Sequence, residues 1–71
     1  MTPALLRAAG ELLFGPRWQA ELAREIGVSR SLVLRIMEGE RAVTADTWAR
    51  VVAALKARRV DIGKFLARHD P

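Results

Sequence analysis

The 71-residue chain has no cysteine. No disulfide can supplement its modest core, so a domain this small must pack its helices well or associate with a second copy. The single histidine, His69, lies in the tail, and no histidine or carboxylate pair stands at a metal-ligand spacing. Neither a nucleophile with its base nor a zinc site can be assembled from such an inventory. The five glycines are scattered, and none belongs to a phosphate-cradling loop. An enzyme is therefore the remote reading, and nothing calls for a metal, a cofactor or a small-molecule effector. Aromatic residues are scarce at 6%, and the 51% hydrophobic share rests on Ala, Leu and Val, which suits an all-helical globule and argues against disorder. No apolar run approaches the roughly 18 residues that span a bilayer, and the N-terminus lacks a basic segment followed by an apolar signal core. The expectation is a soluble, cytoplasmic protein. Without repeats, low-complexity segments or linkers, residues 1–71 read as one domain.

What is abundant is arginine. Twelve basic against eight acidic side chains leave a net charge of +4. Ten of the twelve are Arg, whose planar fork grips phosphates and guanines. This leans toward nucleic acid. Between Arg17 and Arg41, however, five Arg face four Glu, so a positive surface there requires charge segregated onto one face.

The stretch from Gln19 to Glu38 organises the chain. Its apolar residues fall at helical spacing on both sides of Gly27: Leu22, Ala23 and Ile26 before it, Val33, Ile36 and Met37 after it. Glu21, Arg24 and Glu25 occupy the other face of the first segment. Ser29 stands where a helix wants an N-cap, and Val28 before it can staple onto Val33. Gly27 can adopt the left-handed conformation that turns the chain sharply, and Ala23 is small enough to let two helices approach closely. Two short helices meeting at a tight turn are predicted, the second starting at about Arg30.

These residues resemble the helix-turn-helix of the Cro and phage-repressor family. The offsets that carry the resemblance are Gln19, Leu22-Ala23, Gly27-Val28-Ser29, Val33, Ile36 and Gly39, with Met37 where that family usually has Glu and Glu38 one step later. The resemblance implies an all-α, compact five-helix, lambda-repressor-like DNA-binding domain with a central helix-turn-helix over residues 17–38. It further implies a reading helix in the major groove, presenting Ser29, Arg30 and Ser31 and, one turn on, Leu34 and Arg35 to base edges. Arg30 can fork onto a guanine and Leu34 can meet a thymine methyl; alternatively the arginines are a solvated face and the leucine an ordinary exposed one. Phosphate contacts are expected from Gln19, which the resemblance places on the backbone, with Arg17 beside it. Arg41 and Thr44 are expected on the far side.

The flanking segments complete the expectation. Thr2 and Pro3 open a first helix with an apolar stripe of Leu5, Leu6, Ala9, Leu12 and Leu13, which Phe14-Gly15-Pro16 ends. The next helix runs from Pro16 to Ile26, with Arg17, Trp18 and Gln19 in an exposed first turn. The indole of Trp18 reads either as a phosphate donor or, more commonly, as core. Thr44 caps a fourth helix, with Asp46 in its first turn and Trp48, Val51, Val52 and Leu55 buried, ending near Arg58 or Arg59. Asp61 caps a short fifth helix, where Val60 can staple onto Phe65, and residues 69–71 form a frayed tail. Ile62, Phe65 and Leu66 either close the monomer core or form the interface of a dimer. The functional expectation is a sequence-specific binder of double-stranded DNA, a homodimeric repressor of a small operon of phage or mobile-element type, acting on a two-fold operator. The rival is a protein-docking module, such as an antitoxin or adaptor subunit.

Overall fold

The structure is a computed structural model and describes residues 2–71. Four α-helices account for most of them: α1 Pro3–Phe14, α2 Trp18–Ile26, α3 Arg30–Met37 and α4 Ala45–His69, with a single 3-10 turn, Gly15–Arg17, between the first two. Strands are absent among the described residues.

Capping follows the sequence closely. Thr2 accepts from the backbone N–H of Leu5 and has Pro3 behind it, Ser29 accepts from Leu32, and Thr44 accepts from Thr47. Each hydroxyl satisfies a backbone donor that its helix cannot. Helices α2 and α3 both end in glycine. After α2, Gly27 at φ 74° lets Val28 donate to Ala23 O at 2.9 Å; after α3, Gly39 at φ 82° lets Glu40 donate to Arg35 O at 2.9 Å. In both cases the left-handed residue folds the chain back onto the last carbonyls of its helix, so α3 is bracketed by two abrupt turns.

The core lies where α1, α2, α3 and the first three turns of α4 meet. Leu6, Ala9 and Leu13 come from α1, Trp18, Leu22, Ala23 and Ile26 from α2, Val33 and Ile36 from α3, and Val51 from α4. Gly10 is buried among them because the indole of Trp18 occupies the space a Cβ would need. That contact fixes Trp18, 2% exposed, as a core residue rather than part of an exposed helix start. The α-helix consequently begins at Trp18, after the 3-10 turn, and not at Pro16.

Other expectations need correction. The buried face of α1 is the narrow set Leu6, Ala9, Gly10 and Leu13; Leu5 and Leu12, each one residue earlier and so turned by about 100°, face solvent. Trp48 is half-buried against the core, while its neighbour Thr47 is the buried residue. The largest difference concerns the last two expected helices, which are one helix of 25 residues. Between Arg58 and Ile62 there is no proline or glycine to break it. Asp61 costs only a few tenths of a kcal/mol in a helix interior, far less than a break that would orphan two sets of backbone groups. Asp61 therefore caps nothing and Val60 cannot staple onto Phe65; both side chains are exposed. From Lys56 onward every residue of α4 is exposed. Residues 63–69 of the helix run on for about 10 Å beyond the last contacts with α1, which contributes to overall dimensions of 47 × 23 × 19 Å.

Two arginines fasten α4 to the body. Arg50 donates from Nη1 to Ile26 O at 3.0 Å, at the C-terminus of α2, and its Nε pairs with Asp46 at 3.2 Å. Two turns later, Arg58 donates from Nη1 to Leu13 O at 2.9 Å, at the C-terminus of α1, with its guanidinium 5.5 Å from the Phe14 ring centre. Each cation sits against the negative end of a helix dipole, the favourable placement for it.

Candidate nucleic-acid interface

Helix α3 is held by one face and free on the other. Val33 and Ile36 are buried, and Leu32 and Met37 are half-buried against the core. On the opposite side Ser29, Arg30, Ser31, Leu34 and Arg35 are all exposed, Leu34 at 39%. Neither Arg30 nor Arg35 takes part in the ion pairs found among the described residues, which join Arg7 to Glu11, Arg24 to Glu21 and Arg50 to Asp46. Arg24 is paired with Glu21 one turn earlier on α2.

The Ser29 hydroxyl accepts from Leu32 N at 3.1 Å, so its role as a cap is in place while its own proton can still be donated. This arrangement fixes the first turn of α3, the part that approaches base edges when such a helix enters a major groove.

The expected phosphate residues flank this row in the sequence. Arg17 is exposed and immediately precedes α2; Gln19 is half-buried in its first turn, where no side chain caps the helix. An uncapped N-terminus with its dipole is an apt place for a phosphate oxygen. Arg41 is exposed in the loop after α3. Thr44 differs from the other three. Its hydroxyl accepts from Thr47 N at 3.1 Å and donates to Thr47 Oγ1 at 3.0 Å, so both of its capacities already serve the start of α4.

A helix-turn-helix family model matches residues 19–62. The chain belongs to the Cro-like helix-turn-helix family. This family binds DNA, and the match covers α3, both turns that bracket it and most of α4. No curated protein and no solved structure matches the chain. In helix-turn-helix proteins generally the first helix of the motif crosses the DNA backbone and the second enters the major groove; the corresponding positions in this chain are α2 and α3.

Some functional residues escape a reading of the sequence alone. Arg50 holds the carbonyl end of α2 beside the turn into α3, yet on sequence it is only a charge on the back of the fourth helix. Its i, i+4 spacing to Asp46 is the one local signal, and that predicts the ion pair without the long-range contact. Among the described residues no helix is long and apolar enough to cross a membrane, and no cluster of His, Asp or Glu could hold a metal.

Proposed function

We propose that this protein is a sequence-specific, double-stranded-DNA-binding repressor that acts as a homodimer on a two-fold operator, in the setting of a small phage or mobile-element operon. The observation that carries the reading is the row Ser29, Arg30, Ser31, Leu34 and Arg35, exposed along a helix whose other face is locked into the core of a helix-turn-helix. Arg30, near the helix N-terminus, supplies a bidentate fork for guanine O6 and N7. Leu34 supplies an apolar contact for a thymine methyl, and Ser31 and Arg35 extend the reading to adjacent base pairs. Arg17, Gln19 and Arg41 hold phosphates on either side and set the register. Thr44 supports this clamp by fixing the start of α4 after the Arg41 loop.

One short reading helix covers only a few base pairs, too few to define a site in a genome, and this is the physical case for two protomers. Ile62, Phe65 and Leu66, all exposed, supply the apolar contact between them. Binding of such a dimer represses by occupying the operator.

Selection of binding sites from a random duplex library tests the reading. The enriched sequences should contain two inverted half-sites centred about one helical turn, roughly 34 Å, apart. A single half-site bound at full affinity by one protomer would overturn the dimeric part, and no enrichment at all would overturn sequence-specific recognition.

A further inference from the structure

The second half of α4 carries most of the net charge of the protein. From Lys56 to Asp70 five basic side chains stand against two acidic ones, Asp61 and Asp70, while the rest of the chain holds seven against six, so three of the four net positive charges lie on this segment. Among the described residues none of the five cations is in an ion pair, and Arg58 alone donates elsewhere, to Leu13 O.

These charges frame apolar surface. The i, i+3, i+4 face that buries Val51 continues through half-buried Leu55 to Ile62, Phe65 and Leu66, all three exposed. Beside it α1 and α4 enclose a cleft of about 250 Å³ lined by Leu12, Leu13, Leu55, Arg58, Arg59 and Ile62. An apolar cavity of about 150 Å³ already takes a benzene ring, so the cleft has room for one large apolar side chain. Further along α4, Lys64 and Arg68 stand beside Phe65.

The combination selects an occupant. A duplex offers phosphates but no apolar group for the cleft. A bilayer offers both, yet it is flat, and the cleft is a recess between two helices. A second copy meets this face with its own positive surplus, which weakens the protomer contact named above. A helix with apolar residues along one face and Asp or Glu beside them satisfies the cleft and the cations together.

We propose that the face formed by α1 and the second half of α4, and not the helix-turn-helix, docks an acidic amphipathic helix of another protein, with one large apolar side chain seated in the cleft and carboxylates on Arg59, Lys64 and Arg68. Because the site includes Ile62, Phe65 and Leu66, docking and the protomer contact exclude each other, so such a partner separates the protomers and loosens their hold on a two-fold operator. That consequence rests on the dimeric reading above; the docking does not.

Fluorescence anisotropy of the full chain tests it, with a labelled helical peptide of about 15 residues, the length of α4 from Leu55 to His69, carrying Leu along one face and Glu beside it. The peptide should bind with a Kd on the order of 10 μM at about 0.1 M salt. A version with Lys for every Glu should bind at least about ten-fold more weakly. Leu12→Asp and Arg59→Glu should each weaken binding about ten-fold with unchanged helical circular dichroism, since both side chains are exposed. The double variant R59E/R68E should prefer the Lys peptide, a reversal that lost folding cannot produce. Absence of binding at about 500 μM, equal binding of the two peptides, indifference to both single substitutions, or displacement of the peptide by scrambled duplex or by phosphatidylserine vesicles would each overturn the proposal. Sedimentation equilibrium with and without peptide separates it from the dimeric reading. A dimer that the peptide converts into peptide-bound monomers supports both. A chain that is monomeric throughout yet binds the peptide keeps the docking and loses the dimer, whereas a dimer indifferent to the peptide keeps the dimer and loses the docking.

Discussion

Gly10 and Trp18 occupy one space: the indole of Trp18 lies where a side chain on residue 10 would stand, overlapping an ideal Cβ at both Cε3 and Cδ2. A glycine inside a helix ordinarily costs up to about 1 kcal/mol relative to alanine. Here it lets α2 close on α1 with a tryptophan between them. Gly10→Ala should therefore destabilise the protein by about 1–3 kcal/mol despite the better helix former, because neither the α1 backbone nor a ring with 2% exposure can yield cheaply. Urea denaturation followed by tryptophan fluorescence measures it, and an unchanged midpoint would show that the ring repacks freely.

Gly27→Val tests the turn into α3. The only atom a Cβ there would approach is Arg50 Nη1 at 3.5 Å, an ordinary contact, so the penalty is conformational: φ is 74°. A loss of about 1–2 kcal/mol is expected from placing a β-branched residue in the left-handed region. DNA affinity should fall only as far as the folded fraction falls, which thermal melts and mobility-shift titrations on the same samples compare.

Arg50→Ala removes a guanidinium from the carbonyl end of α2, a charge-assisted bond at a helix C-terminus, and should cost about 1–2 kcal/mol. Asp46→Ala, which removes an exposed ion pair and an acidic residue from the first turn of α4, should cost less, about 0.5–1 kcal/mol. Denaturation midpoints of the two variants decide whether the bond to Ile26 or the pair with Asp46 matters.

Reading and gripping separate in salt titrations. Arg30→Ala should lose about 1–3 kcal/mol on the selected operator and relax selectivity at one base pair, with little change on a scrambled duplex. Arg17→Ala and Arg41→Ala should weaken binding to both duplexes alike and reduce the slope of log K against log salt by about one unit for each phosphate no longer neutralised. Equal losses on both duplexes for Arg30→Ala would make it a phosphate ligand and move specificity onto Ser31, Leu34, Arg35 or the shape of the DNA.

The central motif is legible in the sequence because its determinants are local. Ser29 as a cap, Gly27 as a left-handed turn and Val33 with Ile36 as a buried pair all follow from spacing within a few residues, and each stands in the structure where that spacing puts it. The burial of Trp18 is half-legible, since an aromatic beside an apolar stripe has two uses; the contact that decides it comes from Gly10, eight residues away in another helix. The five-helix expectation fails at Asp61, where a good capping residue after Arg58-Arg59-Val60 mimics a helix start. A cap signal shows that a helix can begin there, not that the preceding one has ended. A stripe drawn on α1 alone puts Leu5 and Leu12 in the core, because it cannot show how narrow the packing against the other helices is. The roles of Arg50 and Arg58 are invisible at that level, since each depends on a carbonyl brought near only by the fold.

The two arginine caps also bear on the order in which the molecule assembles. Helices α1, α2 and α3 follow one another through short connections, whereas Arg50 reaches Ile26 across 24 residues and Arg58 reaches Leu13 across 45. Contacts that close large loops bear the entropy of closure before they return any stability, so docking of the fourth helix is expected late on the folding route. Arg58→Ala should then speed unfolding while leaving the refolding limb of a stopped-flow chevron almost unmoved. The lifetime of the native state, more than the speed of reaching it, would be set by an arginine at the edge of the domain, far along the chain from the helix-turn-helix.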